Sequence, residues 1–129
     1  MDKKIVTFRD LIMWKKAIRL VIRVYEITSV FPKHELFGLV SQMRRAAVSI
    51  PSNIAEGSNR RHQKEYSQFL NVAFGSCSEL ETQLEISCEL KYISKIILRE
   101  LLDALNEIEK MLNASIATLH KKEVLSTSY

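Results

Sequence analysis

The sequence predicts an all-α protein, an up-down-up-down antiparallel four-helix bundle. Apolar residues recur at spacings of three and four through four long segments, as one face of a helix requires. Only three glycines and two prolines punctuate 129 residues, too few for a set of hairpins. The connections between segments are short, which makes sequential helices antiparallel neighbours. No stretch alternates apolar and polar like a strand, and no internal repeat or low-complexity tract is present. One domain, residues 1–129, is expected from the length.

In the first segment Leu11, Trp14, Ile18, Val21, Tyr25 and Thr28 follow a 3-4-3-4-3 spacing and define one face. Thr7 and Asp10 resemble a capping box, and Phe31-Pro32 is a stop, placing the helix at about 8–30. Its other side carries Lys15, Lys16, Arg19 and Arg23. The second helix, about 35–57, keeps period through Leu39, Met43, Ala46, Ala47, Ile50 and Ile54. The third, about 63–92, runs through Leu70, Ala73, Cys77, Leu80, Leu84 and Cys88. The fourth, about 95–121, is capped by Ser94 and runs from Leu98 through Leu105, Leu112 and Leu119. Residues 122–129 lose the period and are expected to fray.

Composition narrows the classes. A chain 47% hydrophobic and 26% charged is globular and not disordered. No apolar run reaches the roughly 18 residues of a membrane span, so no membrane association is expected. The start, MDKKIVTFRD, has no apolar core of a signal peptide, and a cytoplasmic location is the expectation. Cys77 and Cys88 lie about 16 Å apart along one helix, beyond disulfide reach, and read as small buried apolar side chains. The net charge of +4 conceals a split: residues 1–64 hold 13 Lys/Arg against five Asp/Glu, residues 65–129 six against ten. Such asymmetry suits self-association or an anionic partner.

The second helix carries more than one pattern. Leu39, Met43, Ala46, Ile54 and Gly57 fall within about 40° of Ile50 and form a core stripe. Beside it Gln42, Arg45, Ser49, Asn53 and Glu56 form a structural polar seam at spacings 3-4-4-3. Val48, Pro51 and Ala55 lie on the far side, apolar where an exposed face is normally charged. A second copy of the chain is the natural cover for such a helix. Pro51 removes a backbone donor and crowds the Ala47 carbonyl, so a kink there, or a break that contacts a ligand, is expected. Arg45 and Glu56 are too far apart to meet, and a network with Glu81, Glu85 and Glu89 of the third helix is expected.

These residues also carry a resemblance. Phe8-x-Asp10-Leu11-x-x-Trp14, Val24-Tyr25, Phe31-Pro32, Phe37-Gly38-Leu39 and Gln42-x-Arg44-Arg45-Ala46-Ala47-x-Ser49-Ile50 come in that order. Asn53-Ile54-Ala55-Glu56-Gly57, Lys64-Glu65-Tyr66, Phe69-Leu70 and the run from Gly75 to Leu84 continue it. The chain resembles the bacterial four-helix-bundle proteins encoded by intervening sequences within 23S ribosomal RNA genes. The accessory variability proteins of diversity-generating retroelements belong to the same group. The resemblance covers roughly residues 7–120 in one register. It implies a ring-forming bundle, commonly a homopentamer, and a non-enzymatic role without cofactors. It also implies nucleic-acid binding in the retroelement branch, where the partner is a reverse transcriptase.

The residues themselves point away from an enzyme. A di-iron bundle needs paired Glu-x-x-His motifs, and only a reversed His62-x-x-Glu65 is present. His34 and His120 stand alone, and none of the three histidines follows an arginine at the spacing of toxin-type bundle ribonucleases. There is no phosphate loop, nucleophile elbow or zinc spacing. Two classes remain. One is a nucleic-acid-binding accessory protein, indifferent to sequence, that uses Lys15, Lys16, Arg19, Arg23, Arg44, Arg60, Arg61 and Lys64 on phosphates. The other is an assembly scaffold for a protein partner, whose charges pair between subunits. No aromatic platform for single strands is visible in the sequence.

Overall fold

The structure, a computed structural model, describes residues 7–127, with side chains through 125. Four helices make the bundle: α1 (Ile12–Thr28), α2 (Ser41–Ser58), α3 (Gln63–Glu89) and α4 (Lys95–Thr127), with no strand among the described residues. The capping box at Thr7 and Asp10 forms, but it closes a separate 3₁₀ turn, Phe8–Asp10. Extended Leu11 then divides that turn from α1. The fourth helix does not fray at 122; it continues to Thr127, and the remaining tail residues lie outside the described ones.

The core-facing side of α1 differs from the expected one. Met13, Ala17, Leu20, Val24 and Ile27 are buried, together with Thr28. Leu11, Trp14 and Val21 only flank the core, and Tyr25 is 42% exposed. Both sets have helical spacing because α1 is apolar over more than half its circumference. Packing against α2 and α4 selects the set with small Ala17 at its middle. In α2, Met43, Ala46, Ala47, Ile50, Ile54 and Gly57 are buried as the core stripe requires.

Pro51 sits inside α2, buried and with helical geometry continuing on both sides. It lies on the flank of Arg44, which reaches Thr28 Oγ1 at 3.0 Å, so α1 covers this side of the helix. Pro51 therefore does not belong to an outward apolar back; Val48, at 40% exposure, does. The break in the helical path comes earlier. A 3₁₀ turn, Lys33–Glu35, leads into a wide π-helical turn, Leu36–Val40, in which Gly38 has non-helical angles (φ −110°, ψ −109°). The glycine has no Cβ; one would stand 3.1 Å from Glu35 Oε1. That carboxylate accepts from the Leu39 amide and from the Tyr92 hydroxyl, at 3.4 and 2.9 Å. One side chain thus ties the α1–α2 connection to the α3–α4 connection.

At the end of α3, Tyr92 N donates to Ser87 O and Lys91 N to Cys88 O, the two bonds of a Schellman cap. Lys91 occupies the left-handed position (φ 65°) where glycine is usual. With no glycine to mark it, the end falls three residues before the expected one. Ser94 caps α4 through the Ile97 amide, as its position requires.

Candidate nucleic-acid interface

The eight candidate cations separate into held and free groups. Lys16 Nζ lies 2.7 Å from Glu107, and Arg23 holds Glu100 through two bonds of 2.7 and 3.0 Å. Arg23 also approaches Glu26 at 3.5 Å. These pairs stitch α1 to α4 across an open cleft of about 490 Å³, floored by Leu20, Leu101 and Ala104. The hydrogen bond from Arg23 holds the Glu100 carboxyl below its ordinary range, and Lys16 does the same for Glu107. Arg23 is correspondingly raised by Glu100. Both cations answer carboxylates of their own chain, not Glu81, Glu85 or Glu89. Glu81 instead faces α4, where its charge adds to burial in raising the Glu109 carboxyl.

Arg44 is half-buried, its guanidinium 4.4 Å above the Tyr25 ring and its Nε on Thr28 Oγ1. Arg60 lies over the Phe69 ring at 4.7 Å and pairs with Glu56 at 2.8 Å. The others are different. Lys15, Arg19, Arg61 and Lys64 are exposed, and none has a carboxylate within ion-pair distance among the described residues. Lys15 and Arg19 stand one turn apart on α1, with Arg19 also lining the α1–α4 cleft, and Arg61 precedes α3 while Lys64 lies in its first turn.

The polar seam of α2 is a hydrogen-bonded strip and not an ion network. Ser49 Oγ and Ser76 Oγ are 2.8 Å apart, and Asn53 Nδ2 donates to both the carbonyl and the hydroxyl of Ser49. Gln42, Arg45 and Glu56 are exposed. Water can solvate Arg45, and Glu56 finds Arg60 one turn on, so neither requires a glutamate of α3.

The corner where α1 meets α2 holds a group that periodicity does not reveal. Phe37 is 93% exposed on the π-helical turn, with Leu36 at 49%. Between Phe37 and Tyr25 lies an open cleft of about 520 Å³, which Arg44 and Arg45 also line. The wide turn puts Phe37 outside the bundle, and only its adjacency to Gly38 hinted at this in the sequence. Elsewhere, Cys77 is buried and its thiol pushed up to about 12, chiefly by burial, which makes it inert; Cys88 is half-buried. Among the described residues, no three His, Cys, Asp or Glu side chains gather as a metal site would need.

A family model described as 23S rRNA-intervening sequence protein matches residues 9–114, most of the chain. The chain belongs to this family. A crystal structure of a protein with unknown function from the S23 ribosomal protein family, from Bacteroides thetaiotaomicron, superposes with a TM-score of 0.74. The two are 23% identical, over 81% of this chain and 98% of that one, a likeness of fold. No curated protein matches significantly. Within the intervening-sequence family frame, residues 9–114 take in both the Lys15–Arg19 face and the Phe37 corner. No described helix is long and apolar enough to cross a membrane.

Proposed function

We propose that this intervening-sequence protein is a non-enzymatic, oligomeric bundle that binds nucleic acid through its phosphates, without reading sequence. One observation carries the reading: Lys15, Arg19, Arg61 and Lys64 stay exposed and have no ion-pair partner among the described residues, while Lys16 and Arg23 are held by glutamates. Free cations on rigid helices supply a phosphate-binding term at little structural cost, and copies in a ring multiply it. Exposed apolar side chains on α1 and α3, Ile22 at 57% and Ile86 at 44%, support self-association, and a pentamer is the assembly that the resemblance implies.

The test is the double variant Lys15→Glu/Arg19→Glu. Retardation of RNA and DNA is expected to be lost, with a shallower salt dependence at any residual binding and an unchanged mass by light scattering. A second reading, an assembly scaffold with no nucleic-acid role, is favoured by Glu79, Glu85 and Glu89 of α3, which have no ion pair among the described residues. It predicts instead that the same variant breaks the assembly. Wild-type protein that binds no nucleic acid at low salt overturns the first reading.

A further inference from the structure

We infer that the cleft between Tyr25 and Phe37 takes an unpaired base of a single-stranded nucleic acid, stacked on Phe37 with its phosphate on Arg45. The inference rests on the nucleic-acid reading above and names the form of strand that the protein prefers. Three features of the corner point there.

Phe37 presents nearly its whole ring to solvent, 93% exposed, and it is not isolated: Leu36, Tyr25 and Val48 beside the same cleft are 49, 42 and 40% exposed. Single exposed apolar side chains are ordinary, but a group of them around a concavity marks a binding surface. The cleft, about 520 Å³, lies within the range of small-ligand sites and is roomy enough for a nucleoside.

The charged side chains that line the cleft are of one sign. Among the described residues, two guanidiniums line the cleft and no carboxylate does. Arg44 is fixed over Tyr25 and on Thr28, with no carboxylate at ion-pair distance among the described residues. Arg45 is exposed and unpaired among the described residues. Glu35, two residues before Phe37, is engaged by Tyr92 and the Leu39 amide.

The chemistry of the occupant follows from these two facts together. An apolar helix laid on Phe37 would desolvate Arg45 and offer it no counter-charge, which is costly. An acidic peptide without an apolar side chain would answer the arginines and leave the ring bare. A face with both, such as Glu85, Ile86 and Glu89 of a second copy, would make the corner a contact between chains, which the mass of Phe37→Ala reads. A nucleotide has both a flat π face and a phosphate. In a duplex the base faces are stacked on one another, so the ring is reached only by an unpaired base.

The experiment measures anisotropy of fluorescent oligo-U, oligo-dT and a blunt DNA duplex on the full chain at one salt concentration. Wild type is expected to prefer the single strands. Phe37→Ala should weaken them by about tenfold and leave the duplex within about twofold, with the salt slope unchanged because no charge is removed. Phe37→Trp should keep or tighten the single-strand affinity. Arg45→Ala should lower it and reduce the slope by about 0.7. Single-strand binding indifferent to Phe37→Ala overturns the inference and leaves the phosphate reading standing. A change of oligomeric mass in Phe37→Ala also overturns it, by making the ring a contact between chains. Loss of all binding in Lys15→Glu/Arg19→Glu with Phe37→Ala neutral would place the strand on α1 alone, and wild type that binds neither form overturns both readings.

Discussion

The seam between α2 and α3 and the seam between α1 and α4 belong to one small bundle but are closed in different ways. The first is the most extensive contact in the molecule, and the second is the sparsest between neighbouring helices. At Gly57 the α2 backbone comes so close that an added Cβ would stand 2.8 Å from Phe69 Cβ and 2.9 Å from the Tyr66 ring. A hydroxyl pair, Ser49 with Ser76, crosses the same seam. Between α1 and α4 there is instead an open cleft, bridged by Lys16–Glu107 and Arg23–Glu100. Small residues let backbones approach, and apolar contact then closes the first seam. Long charged side chains reach across a gap that the backbones of the second do not close, and their heads remain in water. The tight seam supplies rigidity. The loose one leaves the α1 surface accessible.

Adding one methyl to the tight seam gives the largest expected effect. Gly57→Ala forces Phe69 or Tyr66 to move, and the cost, about 1–3 kcal/mol, outweighs the helix-propensity gain. Urea unfolding that shows Gly57→Ala as stable as wild type would mean that the seam can relax.

Volume added where space exists should act in the opposite direction. Ala104→Leu, on the floor of the α1–α4 cleft, is expected to stabilise by about 0.5–2 kcal/mol through burial without a clash. Destabilisation there would show that this seam is already as full as the other. A second glycine sharpens the contrast: a Cβ at Gly75 in α3 meets nothing within 4 Å. Gly75→Ala should raise stability by up to about 1 kcal/mol, the ordinary cost of glycine inside a helix. A loss measured by light scattering together with melting would place another chain against that bare backbone.

The ion pairs should matter least. Glu100→Gln removes the partner of Arg23, whose side chain is 36% exposed while that of Glu100 is 48% exposed, and is expected to cost at most about 1 kcal/mol. Its pH dependence has a definite sign. The hydrogen bond from Arg23 lowers the folded-state pKa of Glu100, so its contribution is present above the unfolded value and disappears as pH falls through the folded one. The difference between wild type and variant, followed by thermal melting, should therefore shrink below about pH 4 and should diminish in high salt at neutral pH. A difference that grows with acid would contradict the assignment.

Much of this architecture was legible in residue spacing. The four helices, the core stripe of α2 and the Ser94 cap rest on interactions within about four residues of chain, and these leave a periodic or capping signature. Of the connections, 59–62 and 90–94 are short as expected, whereas 29–40 takes twelve residues through a 3₁₀ turn and the π-helical turn. The candidate site was legible only as a list of cations. Glu56–Arg60 is a neighbour pair on consecutive turns, but Lys16–Glu107 joins residues 91 apart, and no local pattern announces it. The exposed ring of Phe37 depends on a wide turn at Gly38, although Pro51 was the more conspicuous breaker and proved to be accommodated inside α2.

On α1 the division is sharpest. Its sequence determined that the segment is helical and which side chains share each face, because 3.6 residues per turn is a property of the backbone. Tertiary structure decided that Met13, Ala17, Leu20, Val24 and Ile27 point inward and that Trp14, Ile18 and Tyr25 do not. A helix apolar on two sides has no preferred inside until its neighbours fill one of them, and that choice left Lys15 and Arg19 exposed, without an ion pair among the described residues, while α4 engaged Lys16 and Arg23.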